Sequence, residues 1–336
     1  MVGCEGNWFP ELLPNAPIGS PEWKPQRPGI YQWANAFNIG KWKGEIRHER
    51  DIAASEYQNY DIVWVNACGT SVPTMEKVRE ATRNSSAVCV FNLDYGVELM
   101  QNSFPDIRRF WSVFRQADFI PAQEPAQQRL IHIFLKHISG EKPKADLVPP
   151  LLPHPCDVEG LKKLRIPASD RKDELVVVAH RYENQLLIPS MIAYGHGVPT
   201  HLIGAYTPFL PTGLFDQIST YVDWNVYMYW MRHTTVCLEW YLIHSQSRVV
   251  LENACIGVPT VSTEFCGNGP RVWPLLVHRA DDYLGMRETI KRLVNPDDQS
   301  FWEECNAYAD RAVEFYNWQN SQERFLSAAR SWGLNL

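Results

Sequence analysis

The sequence predicts an α/β protein made of two Rossmann-like domains that face a cleft. Two series of short apolar runs alternating with amphipathic stretches, separated by a proline-rich connector, are the observations that predict it. Strands that alternate with helices at this spacing are typical of parallel sheets. The chain has 336 residues, which is long for one hydrophobic core and sufficient for two.

The first predicted domain, residues 1–145, opens irregularly and then alternates. Six prolines between Pro10 and Pro28 exclude a long helix there, so residues 1–45 are predicted to be irregular. Beyond them, short apolar runs indicate buried strands and amphipathic stretches indicate helices. The predicted strands are 61–66, 87–92 and 119–122, and the predicted helices are 73–83, 107–116 and 125–137.

The second predicted domain, residues 146–315, repeats the alternation after a connector at 139–173 in which little continuous structure is expected. Residues 316–336 are expected to form a helix that packs back on the first domain. Open α/β sheets bind ligands at the carboxyl ends of their strands, which places the predicted site in the cleft. The predicted strands are 174–179, 199–204, 234–238 and 259–262, and the predicted helices are 184–195, 213–221, 225–231, 247–255, 282–294 and 299–331.

The charge balance argues against a general affinity for nucleic acid. The formal net charge is -6, so the whole molecule does not attract phosphate backbones. A local basic patch remains around Lys41, Lys43, Arg47 and Arg50, with Trp42 inside it. A solvated surface is the usual outcome for such a patch, and a binding face is the alternative.

Cysteine usage and hydropathy predict a cytoplasmic protein. None of the eight cysteines forms a Cys-x-x-Cys pair, and several lie in apolar runs, as buried free thiols do in a reducing compartment. The opening residues lack the apolar core of a signal peptide, and no apolar stretch approaches the roughly 18–20 residues of a membrane span.

The segment 244–263 carries most of the functional prediction. Ser245 or Ser247 is expected to cap a helix that Gly257 ends. This helix starts after a predicted strand, and the unpaired N–H groups and positive dipole of such a terminus favour an anion. Glu252 lies in the second turn of the helix, within reach of the ribose hydroxyls beside a bound diphosphate.

Residues 251–262, Leu-Glu-Asn-Ala-Cys-Ile-Gly-Val-Pro-Thr-Val-Ser, resemble the donor-site motif of GT-B glycosyltransferases, most closely the family 4 type. Residues 147–158 resemble the interdomain crossing of that family, and 176–181 resemble a strand that ends in an arginine facing the diphosphate. The resemblance implies the GT-B fold and sugar transfer from a nucleotide-sugar to a hydroxyl acceptor. It also implies that Glu252 binds the donor ribose and that Arg181 contacts the diphosphate.

Other residues are candidates for contacts with the donor. Arg248 is expected to help Arg181 stabilise the leaving diphosphate, with a surface salt bridge as the alternative for both. His244 stands where the family has an acidic residue, and it either contacts the donor or is an ordinary loop histidine. Glu264 is a candidate for the sugar hydroxyls, and the backbone at Gly267 and Asn268 is a candidate for close approach to the donor.

Asp94 is the candidate general base. It follows the predicted strand 87–92 and precedes Gly96, which lets the chain turn and leave the carboxylate exposed. A carboxylate at this edge of the sheet is placed to deprotonate an acceptor hydroxyl. A capping or turn role is the alternative.

The sequence predicts a metal-independent reaction, because it contains no Asp-x-Asp pair of the kind that holds a divalent ion in GT-A enzymes. No cofactor is expected besides the nucleotide-sugar, which is a substrate. The acceptor is left open among a glycan, a lipid, a small molecule and a protein. Two alternatives remain: transfer to a hydroxylated DNA base, which the patch at Lys41 favours and the net charge opposes, and a non-catalytic nucleotide-sugar-binding protein, which His244 favours.

Overall fold

The computed structural model describes residues 2–3, 29–48, 52–69, 71–94, 106–138, 148–178, 186–204, 213–219 and 224–336. The chain divides into two compact units. The first unit contains residues 1–156, 243–245 and 316–336, and the second contains residues 157–242 and 246–315. The first unit is therefore discontinuous in sequence and includes the end of the chain.

The first unit is built on a parallel four-stranded sheet in the order β2-β1-β3-β4. The strands are β1 (Val2–Gly3), β2 (Arg47–His48), β3 (Ile62–Ala67) and β4 (Val88–Leu93). The helices are α1 (Gly29–Ala36), α2 (Val72–Thr82), α3 (Ile107–Phe114), α4 (Pro125–Ile133), which continues as a π-turn over Phe134–Ile138, and α12 (Trp318–Ser331). A 3₁₀ helix spans Ala54–Asn59.

Aromatic side chains form much of the core on one side of this sheet. The ring of Phe325, from α12, lies 5.6 Å from that of Trp64 and 5.3 Å from that of Phe119. Trp33 of α1 stacks at 4.9 Å from Trp64. Such tilted and edge-on pairs are the arrangements that aromatic quadrupoles favour. The last helix thus packs against the sheet and against α1.

The second unit is built on a parallel six-stranded sheet in the order β10-β9-β8-β5-β6-β7. The strands are β5 (Lys172–Val178), β6 (Thr200–Ile203), β7 (Gln217–Ser219), β8 (Thr234–Glu239), β9 (Thr260–Thr263) and β10 (Val277–His278). The helices are α5 (Val158–Lys162), α6 (Leu187–Ala193), α7 (Trp224–His233), α8 (Arg248–Ile256), α9 (Gly269–Val272), α10 (Tyr283–Val294) and α11 (Gln299–Ala312). Parallel strands joined through helices confirm the prediction of two Rossmann-like units.

Several local predictions were wrong. Residues 29–36 form a helix although residues 1–45 were predicted to be irregular, because no proline occurs between Pro28 and Pro73. Residues 217–219, inside a predicted helix, form the edge strand β7 beside β6. The predicted strand 119–122 is reduced to single bridges, at Phe119 to Val90 and at Ala122 to Leu151.

Two further predictions, of a continuous helix at 299–331 and of little structure at 139–173, were also wrong. The predicted helix 299–331 is interrupted by a 3₁₀ turn at Val313–Tyr316. It restarts where the Asn317 side chain accepts a hydrogen bond from the Asn320 N–H, which caps α12. In the connector 139–173, α5 forms because Asp157 caps it at the Gly160 N–H. Within the described residues, no helix combines the length and apolarity needed to cross a bilayer.

Candidate functional site

The carboxyl edge of the six-stranded sheet brings together most of the predicted donor-site residues. β8 ends at Glu239, a polar loop follows, and α8 begins at Arg248. β9 then returns beside β8, and its carboxyl end leads through Glu264 to Asn268. The N-terminus of α8 therefore opens at the edge where open α/β sheets bind ligands, and its N–H groups form an anion-favouring end.

Ser247 caps α8 from an unusual backbone conformation. Its φ is 52°, and it is the only residue other than glycine with a positive φ in the described part of the chain. Its hydroxyl accepts a hydrogen bond from the Val250 N–H at 3.4 Å and donates one to the carboxylate of Glu239. A non-glycine residue in this region costs on the order of 1–3 kcal/mol and persists only where its surroundings hold it.

Arg248 and Glu252 form an ion pair one turn into α8. Arg248 Nη2 donates to Glu252 Oε1 at 2.6 Å. The Glu252 side chain is 8% exposed and that of Arg248 is 31% exposed. Burial raises the pKa of Glu252, whereas Arg248 opposes that rise. The carboxylate predicted to bind ribose is thus already engaged by a partly exposed arginine.

Glu239 is a buried carboxylate that the sequence analysis missed. It is fully buried at the end of β8, where it accepts a hydrogen bond from Ser247 and raises the pKa of Glu252. A single acidic residue that closes an apolar strand looks like an ordinary strand end, so the sequence offered only the signal of its charge.

The buried hydroxyl of Tyr227, whose pKa is raised by burial and by Glu252, has no hydrogen-bond partner among the described residues.

The loop after β9 braces the N-terminus of α8. Asn268 is buried, its Nδ2 donates to the Ser247 carbonyl at 2.9 Å, and its N–H donates to the Gln246 carbonyl at 3.0 Å. Gly267 beside it is half-buried, and Glu264 is exposed at the end of β9. The Asn268 side chain therefore holds the cap in place, and Glu264 is the member of this loop whose carboxylate is open to solvent.

Two other predicted donor-site residues, His244 and Ser245, are half-buried and belong to the first unit. Ser247, and not Ser245, is the residue that caps α8. Arg181 lies outside the described residues, as do Arg50 and the side chain of Arg47 in the basic patch.

The far end of α8 is fixed by a glycine and two arginines. Gly257 has a φ of 74°, the left-handed conformation that ends helices. Arg165 Nη2 donates to the Cys255 carbonyl at 3.0 Å, and Arg171 Nη2 donates to the Ile256 carbonyl at 3.0 Å. Because cations at a helix C-terminus complement its dipole, these contacts anchor the helix that carries Glu252.

Asp94 lies at the carboxyl edge of the four-stranded sheet within a polar network. Asn66 Nδ2 donates to Asp94 Oδ2 at 3.1 Å, and Gln123 Nε2 donates to Oδ1 at 3.3 Å. His154 Nε2 lies 3.3 Å from Oδ1, with the His154 side chain 5% exposed and that of Asp94 36% exposed. The carboxylate is therefore oriented by three neighbours and still reaches solvent. Gly96 lies outside the described residues.

Asn66 links this network to the core. Its Oδ1 accepts hydrogen bonds from Trp64 Nε1 at 2.9 Å and from Asn92 Nδ2 at 3.1 Å. All three residues lie on β3 and β4, where Asn66 pairs with Asn92 in register. Two adjacent strands thus end in amides: Asn66 holds the Asp94 carboxylate, and Asn92 holds Asn66. Asp94 was predictable from the sequence but its partners Gln123 and His154 were not, because they are distant from it in sequence.

Solved structures with a similar fold are glycosyltransferases. The trehalose-6-phosphate synthase from E. coli bound with UDP-2-fluoro glucose superposes with a TM-score of 0.61 at 13% identity, over 89% of this chain and 84% of that one. A UDP-forming α,α-trehalose-phosphate synthase from Burkholderia xenovorans gives a TM-score of 0.60 at 15% identity, over 82% and 75%. The synthase from Burkholderia multivorans gives 0.58 at 14% identity, over 83% and 72%.

No protein-family model matches the sequence, and no curated protein matches it either. The structural likeness at these identities establishes the fold. The chain has the GT-B glycosyltransferase fold, with two Rossmann-like units on parallel sheets.

Proposed function

We propose that this protein is a glycosyltransferase that moves a sugar from a nucleotide-sugar donor to a hydroxyl acceptor. The observation that carries the proposal is the N-terminus of α8, which opens at the carboxyl edge of a parallel sheet in a GT-B fold, with Arg248 and Glu252 in its first two turns. The E. coli neighbour bound to UDP-2-fluoro glucose makes UDP-sugars the first donors to test.

In this proposal the second unit binds the donor. The N–H groups at the start of α8 and the Arg248 guanidinium stabilise the diphosphate, on which negative charge accumulates as the sugar leaves. Glu252 accepts hydrogen bonds from the ribose hydroxyls, and its ion pair with Arg248 opposes the rise in its pKa that burial causes. Arg181, Glu264 and the backbone at Gly267 are proposed as further donor contacts, and His244 remains a candidate contact.

The first unit supplies the group that acts on the acceptor. Asp94 accepts the proton of the acceptor hydroxyl if the reaction inverts the anomeric centre. Asn66 donates a hydrogen bond to one carboxylate oxygen and Gln123 donates one to the other. The carboxylate stays partly exposed, as a base that contacts a substrate must be.

A two-step experiment tests the proposal. Thermal unfolding is measured with UDP-, GDP-, ADP- and dTDP-sugars, because a ligand that binds only the native state raises the melting temperature. Release of the nucleoside diphosphate is then measured with the sugar that stabilises the protein. Stabilisation with turnover supports the transferase, whereas stabilisation without turnover favours the non-catalytic binding protein. No stabilisation by any nucleotide-sugar contradicts both.

A further inference from the structure

A cavity of about 750 Å³ lies in the first unit at the amino end of β3, the end of the sheet opposite to Asp94. It surrounds the amino end of β3, where Asp61 and Ile62 begin the strand, and it extends to the loop after α1. Its volume falls in the range of about 300–1,000 Å³ that small-molecule sites occupy. The residues that line it include Lys41, Trp42, Lys43, Glu45, Asn59 and Tyr60.

The loop that forms one wall is firmly held. Asn38 Nδ2 donates to the Gly44 carbonyl at 2.9 Å, and the Gly44 N–H donates to Asn38 Oδ1 at 3.0 Å. Gly44 packs so closely on α1 that an added Cβ would lie 2.2 Å from the Ala34 carbonyl oxygen. The half-buried Trp42 on this loop packs edge-on against Phe37 at 5.8 Å. The loop therefore presents an aromatic ring in a fixed position.

The charges of the described residues around the cavity balance. Two lysines, Lys41 and Lys43, and two carboxylates, Glu45 and Asp61, line the cavity, so its described lining residues carry no net formal charge. Glu45 accepts a hydrogen bond from the Tyr60 hydroxyl. The side chains of Lys43, Asn59 and Asp61 make no hydrogen bond or ion pair within the described part of the chain, which leaves donors and acceptors directed to solvent.

We propose that this cavity binds a neutral oligosaccharide. A lining without net charge gives no general attraction to a polyanion or a polycation, because cations and anions on the lining act in opposite directions. Sugar hydroxyls both donate and accept hydrogen bonds, which matches a mixture of ammonium, amide and carboxylate groups. The C–H face of a sugar ring is apolar and suits an amphipathic aromatic side chain such as Trp42.

This site is separate from the one at the carboxyl edge. β3 has six residues, and a strand rises about 3.3 Å per residue, so its two ends lie about 17 Å apart. Asn66 and the Asp94 network belong to the far end, whereas Asp61 and the cavity belong to the near end. The inference does not depend on the proposed transferase activity, because it concerns binding by the first unit alone.

Calorimetry with maltotriose, cellotriose and tri-N-acetylchitotriose tests the proposal on the full chain. We expect at least one of these trisaccharides to bind. Trp42→Ala is expected to weaken that binding about tenfold, through loss of the stacking surface. Asp61→Ala is expected to weaken it about threefold, through loss of one hydrogen-bond acceptor. Glu80→Ala, at an exposed position on α2, serves as the matched control and leaves the affinity unchanged.

Asp61→Ala is expected to leave the fold intact, because this exposed side chain makes no described contact. Trp42→Ala removes a ring that packs on Phe37, so Asp61→Ala keeps the test valid if Trp42→Ala does not fold. The melting temperature of each variant is measured beside its affinity. Failure of all three trisaccharides to bind overturns the proposal. So does binding that neither variant weakens, or binding only of an anionic probe, for which a heparin-derived tetrasaccharide and a short DNA duplex are included.

Discussion

At the residue scale, Glu252 is the carboxylate on which the proposed donor site depends. It is nearly buried, and burial raises its pKa while the ion pair with Arg248 at 2.6 Å opposes that rise. Its ion pair with Arg248 is therefore mostly buried and not an exposed surface contact. A change that removes the charge but keeps the shape separates binding from folding.

Glu252→Gln is expected to weaken donor binding by about tenfold to a hundredfold, since a hydrogen bond to a charged group contributes about 1.5–3 kcal/mol. The melting temperature is expected to change little, because Arg248 is partly exposed and becomes hydrated when its partner is neutral. Calorimetry with the donor found by thermal shift measures the affinity. Glu159→Gln, at an exposed position on α5, is the control. An unchanged donor affinity in Glu252→Gln removes the residue from the site.

Asp94→Asn is expected to lower turnover about 10²- to 10⁴-fold, the usual contribution of a general base. Donor affinity is expected to stay normal, because Arg248, Glu252 and Glu264 belong to the second unit. Turnover, donor affinity and melting temperature are measured on one preparation, with Glu80→Gln as the control. A structural role gives the opposite pattern, with a lower melting temperature and normal turnover per folded molecule. Normal turnover and stability together point to a retaining reaction without this base.

Glu239 and His154 show where residue-level prediction from sequence stops. The motif around Glu252 was visible because its residues are consecutive. The contact between Glu239 and Ser247 spans a loop, and that between His154 and Asp94 spans 60 positions. Partners of that kind depend on the fold as a whole, and no local pattern of residue types specifies them.

At the element scale, α8 is positioned from both ends. Ser247 and Asn268 fix its start, while Gly257, Arg165 and Arg171 fix its finish. A helix held in this way keeps its N–H groups aimed at one point, as anion binding at its N-terminus requires. Its geometry therefore depends on the last turn as much as on the first.

Gly257→Ala is expected to destabilise the protein by more than the roughly 1–2 kcal/mol of a left-handed non-glycine residue. The added Cβ would lie 3.0 Å from Arg165 Nε and 3.3 Å from Arg171 Nη2, so both arginines must move. Gly197→Ala is the matched control, because its φ is 77° and its Cβ would meet no atom within 4 Å. Urea unfolding compares the two variants. Equal losses of unfolding free energy would show that the arginine contacts contribute nothing.

Secondary structure was predictable where the apolar residues of a segment followed a single spacing, either that of a helix or that of a strand. β3, β4 and α8 lie within one or two residues of their predicted bounds. β7 was predicted to be helical because a strand of three residues carries too few side chains to show alternation. The continuous helix 299–331 was wrong because its break depends on one cap, Asn317, inside a helical pattern.

At the scale of the whole molecule, stability is expected to respond to pH through His201. This side chain is 1% exposed in β6, and although Glu174 lies 3.6 Å away, burial lowers its pKa to about 4. The unfolded chain takes up the proton near pH 6.5, whereas the folded protein does so only near pH 4. The free energy of unfolding therefore falls as the pH drops from about 6.5 to 4, by up to about 3 kcal/mol.

Urea unfolding at pH 7 and pH 4.5 measures this dependence. His201→Gln is expected to lose less unfolding free energy between the two pH values than the unaltered protein does. His132→Gln, at a partly exposed position in the first unit, is the control for a change of histidine number. An equal loss in the His201→Gln and unaltered proteins contradicts the assignment.

Activity is also expected to survive chelation. The sequence has no Asp-x-Asp pair, and in the described part of the chain no three His, Cys, Asp or Glu side chains converge as metal ligands do. Stabilisation of the diphosphate then rests on α8 and arginine side chains. Turnover is measured with EDTA and after addition of Mn²⁺. Loss of turnover with EDTA and recovery with Mn²⁺ would contradict the metal-independent mechanism.

The discontinuity of the first unit has a consequence for synthesis on the ribosome. Phe325 is fully buried against Trp33, Trp64 and Phe119, so nearly the whole chain must be translated before this core can close. The second unit has all its strands and helices by residue 315. Domains usually complete their folding in the order of synthesis. Because residues 316–336 follow the second unit in sequence, the core of the first unit cannot close until the whole of the second unit has been synthesised.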